Sequence, residues 1–179
     1  MTSKHLWMGA AAAVVLSTAL AACKKEEQKV EQPAATAPTS EATYTLTPES
    51  NAQFLKDNAS KPGVTVLPDG LQYRVLKAGT GKSPTSGDDV VTVTYKGWTI
   101  DGKVFDQTPP GQTAQFPAGR LIQGWVEALS LMKEGDSWQI VLPSDLAYGP
   151  SGAPPDIGPN QTLVFDMELI GVTPATPTP

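Results

Sequence analysis

Four stretches of the chain alternate apolar and polar positions with a period of two. Leu71, Tyr73 and Val75 share a face in "LQYRVL", and Val91, Val93 and Tyr95 share one in "VVTVTYKGW". Trp138, Ile140 and Leu142 do the same in "SWQIVL", as do Leu163, Phe165, Met167 and Leu169 in "LVFDMELI". Such alternation marks half-buried antiparallel strands, whose apolar face needs a cover. In "QGWVEALSLMKEG" the period changes: Trp125, Leu129 and Met132 recur at helical spacing, with Gly135 where a C-cap is expected. Further upstream, Thr47 before Pro48 reads as an N-cap with proline at the first helical position. It opens a short helix through Phe54 and Leu55 to about Ser60, which "KPG" stops. The pattern predicts an α+β domain: a twisted antiparallel β-sheet wrapped around one short helix, preceded by a short N-terminal helix.

The two ends of the chain carry no such pattern. At the start, "MTSKHLWMGAAAAVVLSTALAAC" has a basic residue at Lys4, an apolar run from Leu6 to Leu20 and small residues before Cys23, the layout of an export signal. Its last residues, "LAAC", resemble a bacterial lipobox, which implies cleavage before Cys23 and a lipid on its sulfur. An ordinary signal cut after Ala21, leaving a free thiol, and an uncleaved anchor are the alternatives. The lone cysteine of an exported chain favours the lipid, because it has no partner within the chain. The next segment, "KKEEQKVEQPAATAPTSEATYTLT", is too poor in large apolar residues to offset its ordering entropy and reads as a tether, as does "TPATPTP" at the end. The expected organisation is therefore a signal over residues 1–22, a tether over 23–47, a lead-in helix over 48–63, one domain over 64–172 and a tail over 173–179.

Composition removes several chemistries. His5 and Cys23 are the only histidine and cysteine, both ahead of the domain, so a Cys-His pair, a histidine-based triad and a thiolate zinc site are excluded there. No phosphate-cradling glycine motif is present, and neither a metal nor a cofactor is expected. Loss of Lys4 with the signal takes the 13 basic residues to 12 against 18 acidic ones, a net charge of −6, which argues against nucleic acid as a partner. Asp101, Asp106, Asp145, Asp156 and Asp166 could in principle supply a hydrolytic carboxylate pair, but spacing singles out none. Tyr95, Phe105, Phe116, Trp125, Tyr148 and Phe165 come from separate strands, loops and the helix start. On patterning alone they fit either a plain core or an aromatic-lined ligand pocket.

Four ordered motifs bear on that choice: "VTVTYKGWTIDGKVFDQT", "FPAGRLIQGWVEALSLMKEGD", "LPSDLAYGPSGAPPDIGPN" and "TLVFDMELIGV". With them, residues 64–172 resemble an FKBP-type peptidyl-prolyl cis-trans isomerase, and "FLKDNASKPGVTVLPDGLQYRVLKAGTG" is similar to the lead-in of the bacterial Mip/FkpA-like branch. The resemblance implies a pocket lined by Tyr95, Phe105, Phe116, Leu121, Ile122, Tyr148, Ile157 and Phe165, with Trp125 as its floor. It gives Asp106 the place of the pocket's carboxylate. The Tyr148 hydroxyl and the Ile122 backbone N–H match groups that hydrogen-bond carbonyls of substrate or ligand. Tyr95, Asp106 and Tyr148 are thus the expected catalytic set, with Asp106 ordering the pocket rather than transferring a proton. Asp156 and Gly158 depart from the family's usual loop, which puts catalytic efficiency, substrate preference and macrolide binding in question.

The resemblance implies an enzyme that turns X-Pro bonds in exported proteins, with proline-containing polypeptides as partners and an FK506- or rapamycin-type macrolide as a ligand. Relatives in the branch often carry a long helical dimerisation region, whereas only a short helix and a tether are read here, so a monomer is expected. Lipid on Cys23 would hold it to the cell envelope, at the outer membrane facing the periplasm. A proline-binding chaperone with little turnover, and a structural envelope lipoprotein, are the competing readings.

Overall fold

The computed structural model describes residues 44–176. Helix α1 runs Pro48–Ala59, with the Thr47 hydroxyl accepting from Ser50 N–H at 3.2 Å, so the cap and the proline act as read from the sequence. Strands β1 (Val64–Val66), β2 (Gln72–Lys77), β3 (Val90–Thr99), β4 (Val104–Gln107) and β5 (Ala114–Pro117) precede helix α2 (Gln123–Leu131). Strands β6 (Ser137–Leu142) and β7 (Leu163–Thr173) follow it. The seven form one antiparallel sheet in the order β1-β2-β6-β7-β3-β4, with β5 paired to the first half of β3.

One face of this sheet carries the predicted apolar positions. Val91, Val93, Ile140, Leu142, Leu163, Phe165, Met167 and Leu169 are all buried there, together with Trp125, Ala128 and Leu129 of α2 and Met132 just beyond it. Removing such a side chain from water is worth about 1.5–3 kcal/mol, so this layer is the main source of stability. Gly124 lets the helix come close: a Cβ there would sit 2.5 Å from a Leu142 methyl group.

The other face is polar in its middle, where Arg74, Gln139, Asp166, Lys96 and Gln107 stand opposite one another across five strands. Asp166 accepts from Gln139 Nε2 at 2.9 Å, and burial pushes its carboxyl up. At one corner Val141 and Val164 are also buried. Their row includes Gln72, whose side chain accepts from Asn58 Nδ2 and donates to the Leu55 carbonyl, both at 2.9 Å, tying α1 to the sheet.

Several expectations are corrected. Val75 is 45% exposed although it pairs in register with Trp138; the β2–β6 register shifts just beyond it, between Val75 and Lys77. Helix α2 ends at Leu131 with Met132 extended, so Gly135 is no C-cap; it takes φ +90° in a turn where the Asp136 carboxylate accepts from Lys133 N–H at 2.6 Å. Contacts with α1 extend ahead of Pro48: Tyr44 packs edge-on against Phe54 at 5.0 Å and donates its hydroxyl proton to Asp57 at 2.8 Å. At the other end β7 includes Thr173, and Ala175 N–H donates to Asp89 at 3.0 Å. The signal, Cys23 and the tether up to residue 43 lie outside the described residues.

Candidate functional site

Where β3, β4, β5 and β7 meet the start of α2, a cavity of about 180 Å³ opens. Tyr95 comes from β3, Phe105 and Asp106 from β4, Phe116 from β5 and Phe165 from β7. Leu121 and Ile122 precede α2, Trp125 lies in its first turn, and Tyr148 stands in the β6–β7 connection. Nine of the ten pocket positions named from the sequence are thus brought together. The tenth, Ile157, does not line this cavity; its backbone pairs with Ala153 in both directions, at 2.9 and 3.1 Å, and its side chain, 5% exposed, lies in the same core cluster as Trp125 and Phe165.

Trp125 is the floor in a geometric sense. Its indole meets Tyr95, Phe165 and Phe116 edge-on at 5.1, 5.3 and 6.3 Å, with ring planes within a few degrees of perpendicular. Phe105 meets Phe165 the same way at 5.5 Å. Edge-to-face pairs hold each other's orientation, so the wall is preorganised. Gly97 makes it possible: a Cβ there would lie 2.7 Å from both Phe105 Cζ and Phe165 Cε1. A glycine inside a strand pattern signals close approach, and "YKGW" carried that signal unread.

Polar groups in the wall are few. Tyr95 donates its hydroxyl proton to Asp106 Oδ2 at 2.6 Å, and burial, reinforced by that carboxylate, holds its phenol well above the usual tyrosine range. Tyr95 is itself fixed by Thr108, whose hydroxyl oxygen accepts from Tyr95 N–H at 3.1 Å. Tyr148 is 40% exposed, and burial, then the charge of Asp106, raises its phenol. Asp106 therefore has, in Tyr95, a hydrogen-bond donor that holds its own proton tightly. Helix α2 opens at Ile122 without a side-chain cap, so donors at its start are free of side-chain partners.

The FKBP-type peptidyl-prolyl cis-trans isomerase pattern matches residues 81–170, and that of the domain amino-terminal to such isomerases matches residues 6–75. The chain belongs to the FKBP-type peptidyl-prolyl cis-trans isomerase family. It is 52% identical over 120 residues to the outer membrane protein MIP of Legionella longbeachae, covering 66% of this chain and 51% of that protein. It is also 52% identical over 125 residues to the peptidyl-prolyl cis-trans isomerase Mip of Coxiella burnetii, covering 69% and 54%. The crystal structure of an isomerase from Pseudomonas syringae pv. tomato superposes with a TM-score of 0.65 at 40% identity, over 76% of this chain and 97% of that one. FkpA from Escherichia coli superposes at 0.68 and 41% identity, over 72% and 60%. The chain spans about half the length of the curated relatives it matches.

Within this FKBP-type domain, the loop that holds Asp156 and Gly158 lies beside Tyr148. Asp156 pairs with Lys103 of the β3–β4 turn at 3.2 Å, with both side chains about half exposed. An exposed pair of that kind is worth 1 kcal/mol or less, roughly. The loop is closed tightly on itself, since a Cβ on Gly152 would stand 2.5 Å from the carbonyl oxygens of Ile157 and Gly158.

Proposed function

We propose that this domain is a peptidyl-prolyl cis-trans isomerase acting on X-Pro bonds of exported polypeptides. The observation that carries the reading is the aromatic cavity floored by Trp125, with Tyr95, Asp106 and Tyr148 supplying its side-chain hydroxyls and carboxylate. The barrier to X-Pro rotation, about 18–20 kcal/mol, comes from amide resonance, which is lost as the bond twists. A twisted amide is less polar than a planar one, so an apolar wall favours the transition state over the hydrated ground state.

Phe105, Phe116, Leu121 and Phe165 would enclose the proline ring over Trp125. The Tyr148 hydroxyl and the Ile122 N–H would donate to the flanking carbonyls, and Asp106 would hold Tyr95 in the wall without exchanging a proton. Nothing in this scheme requires a metal or cofactor. The same cavity would accept an FK506- or rapamycin-type macrolide. The protein would act as a monomer, held by lipid on Cys23 at the outer membrane and facing the periplasm, where uncatalysed X-Pro turnover takes tens of seconds.

The test is the cis-to-trans rate of short X-Pro peptides with the full chain, with and without macrolide, beside an Asp106→Ala, Tyr148→Phe double variant. Acceleration abolished by both supports the reading; no acceleration from a folded protein overturns it in favour of a binding role.

A further inference from the structure

Helix α1 reaches the loop beside the cavity through buried amides. Asn51 is 5% exposed; its Oδ1 accepts from Thr162 N–H at 2.7 Å and its Nδ2 donates to Gln161 Oε1 at 3.4 Å. Gln161, 7% exposed, donates from Nε2 to the Leu46 carbonyl at 3.3 Å and to the Pro159 carbonyl at 3.1 Å. One side chain therefore joins the segment ahead of α1, the helix itself and the end of the loop. One residue back, Asn160 takes φ +57° and donates its N–H to the Gly149 carbonyl at 2.9 Å. Gly152 N–H closes on the Tyr148 carbonyl at 3.2 Å.

The character of this docking matters. A helix attached only for burial presents apolar side chains to its support, whereas the buried residues of α1 are Asn51 and Asn58. Buried amides are directional and costly to leave unpaired, so they fix position as well as contact. The loop they hold is closely packed on itself, because Gly152 sits against the Ile157 and Gly158 carbonyls with no room for a Cβ.

We infer that Asn51 and Gln161 are positioning residues for Tyr148: through their amides α1 holds the loop over residues 149–160 so that the Tyr148 hydroxyl is presented to the cavity. The kinetic part of this inference rests on the isomerase reading; the structural part does not. Gln161→Met keeps the length of the side chain and removes both donated bonds. In the full chain it should raise amide hydrogen exchange at Gly152, Ala153, Ile157 and Asn160 several-fold. It should also lower kcat/KM for an X-Pro peptide about fivefold, the scale of one buried hydrogen bond, mainly through kcat.

In a Tyr148→Phe background the same change should cost less than twofold, since the group being positioned is already gone. Asn51→Asp keeps the acceptor for Thr162 N–H and loses both donations of Nδ2, to Gln161 Oε1 and to the Thr47 carbonyl at 2.8 Å within the α1 start; it should show the same loop signature and carries the test if Gln161→Met does not fold. Unchanged exchange in the loop, or equal losses of kcat/KM with and without the Tyr148 hydroxyl, overturns the inference. If the wild-type chain does not accelerate the peptide at all, the isomerase reading fails and exchange alone decides the positioning role.

Discussion

Replacing Gly97 with alanine adds one methyl group behind the cavity wall. Its carbon would lie 2.7 Å from Phe105 Cζ and Phe165 Cε1 and 2.8 Å from Phe165 Cδ1. Carbon pairs rest at about 3.5–4.0 Å, so each ring must give way by about 1 Å. Phe165, at 3% exposure and pinned edge-on by Trp125, has nowhere to go, whereas half-buried Phe105 can tilt toward the cavity. Overpacking of this kind costs about 1–3 kcal/mol. The lower entropy of the unfolded chain returns about 0.4–1 kcal/mol. The net expectation is a loss of about 1–2 kcal/mol in urea unfolding and a rise in KM for X-Pro peptides of several-fold, because the displaced ring occupies part of a space of about 180 Å³. A variant as stable as wild type with unchanged KM would refute the view that Gly97 sets the spacing of these rings.

Other expectations follow from the same geometry. Asp106→Asn should lower the rate without changing the shape of its pH profile; a step present in wild type and absent from the variant would show that the carboxylate transfers protons. Glu127, hydrogen-bonded to Asp69, partly buried and repelled by its charge, is pushed up to about 7, while that hydrogen bond lowers Asp69. The folded state thus holds a proton that the unfolded chain releases at about 4.3, so this contribution is full below that pH and is lost as pH rises to about 7. Glu127→Gln should flatten that fall in thermal stability, modestly because the pair is largely solvated, and an unaltered slope would remove the pair as its cause. Thr47→Ala should cost about 0.5–2 kcal/mol in urea unfolding by leaving an N–H of the first α1 turn uncapped, and unchanged stability would show that the hydroxyl bond contributes nothing there.

Much of the framework was legible before any coordinates. Alternation in β3, β6 and β7 marked the buried face because a strand's side chains point to opposite sides whatever packs on them. The Thr47–Pro48 start of α1 was legible for a similar reason, since a cap is satisfied within three residues. Of the site, the aromatic positions could be named, but patterning could not choose between a core and a cavity. The family motifs supplied that choice: nine of the ten positions they named line the cavity, and Ile157 lies in the core cluster that also holds Trp125 and Phe165.

The sequence by itself determined local features: the strands β2, β3, β6 and β7, where α1 begins, and which chemistries the domain lacks for want of histidine and cysteine. Only the tertiary structure decided that Gly97 leaves room for two rings, that Val75 near the end of β2 is left exposed, and that Asn51 meets Gln161 and Thr162 across 110 and 111 residues. The physical reason is range. Propensity, capping and periodicity act within a few residues, whereas ring contacts, strand register and buried amide pairs depend on segments that are distant in the chain and adjacent only after the sheet has closed around α2.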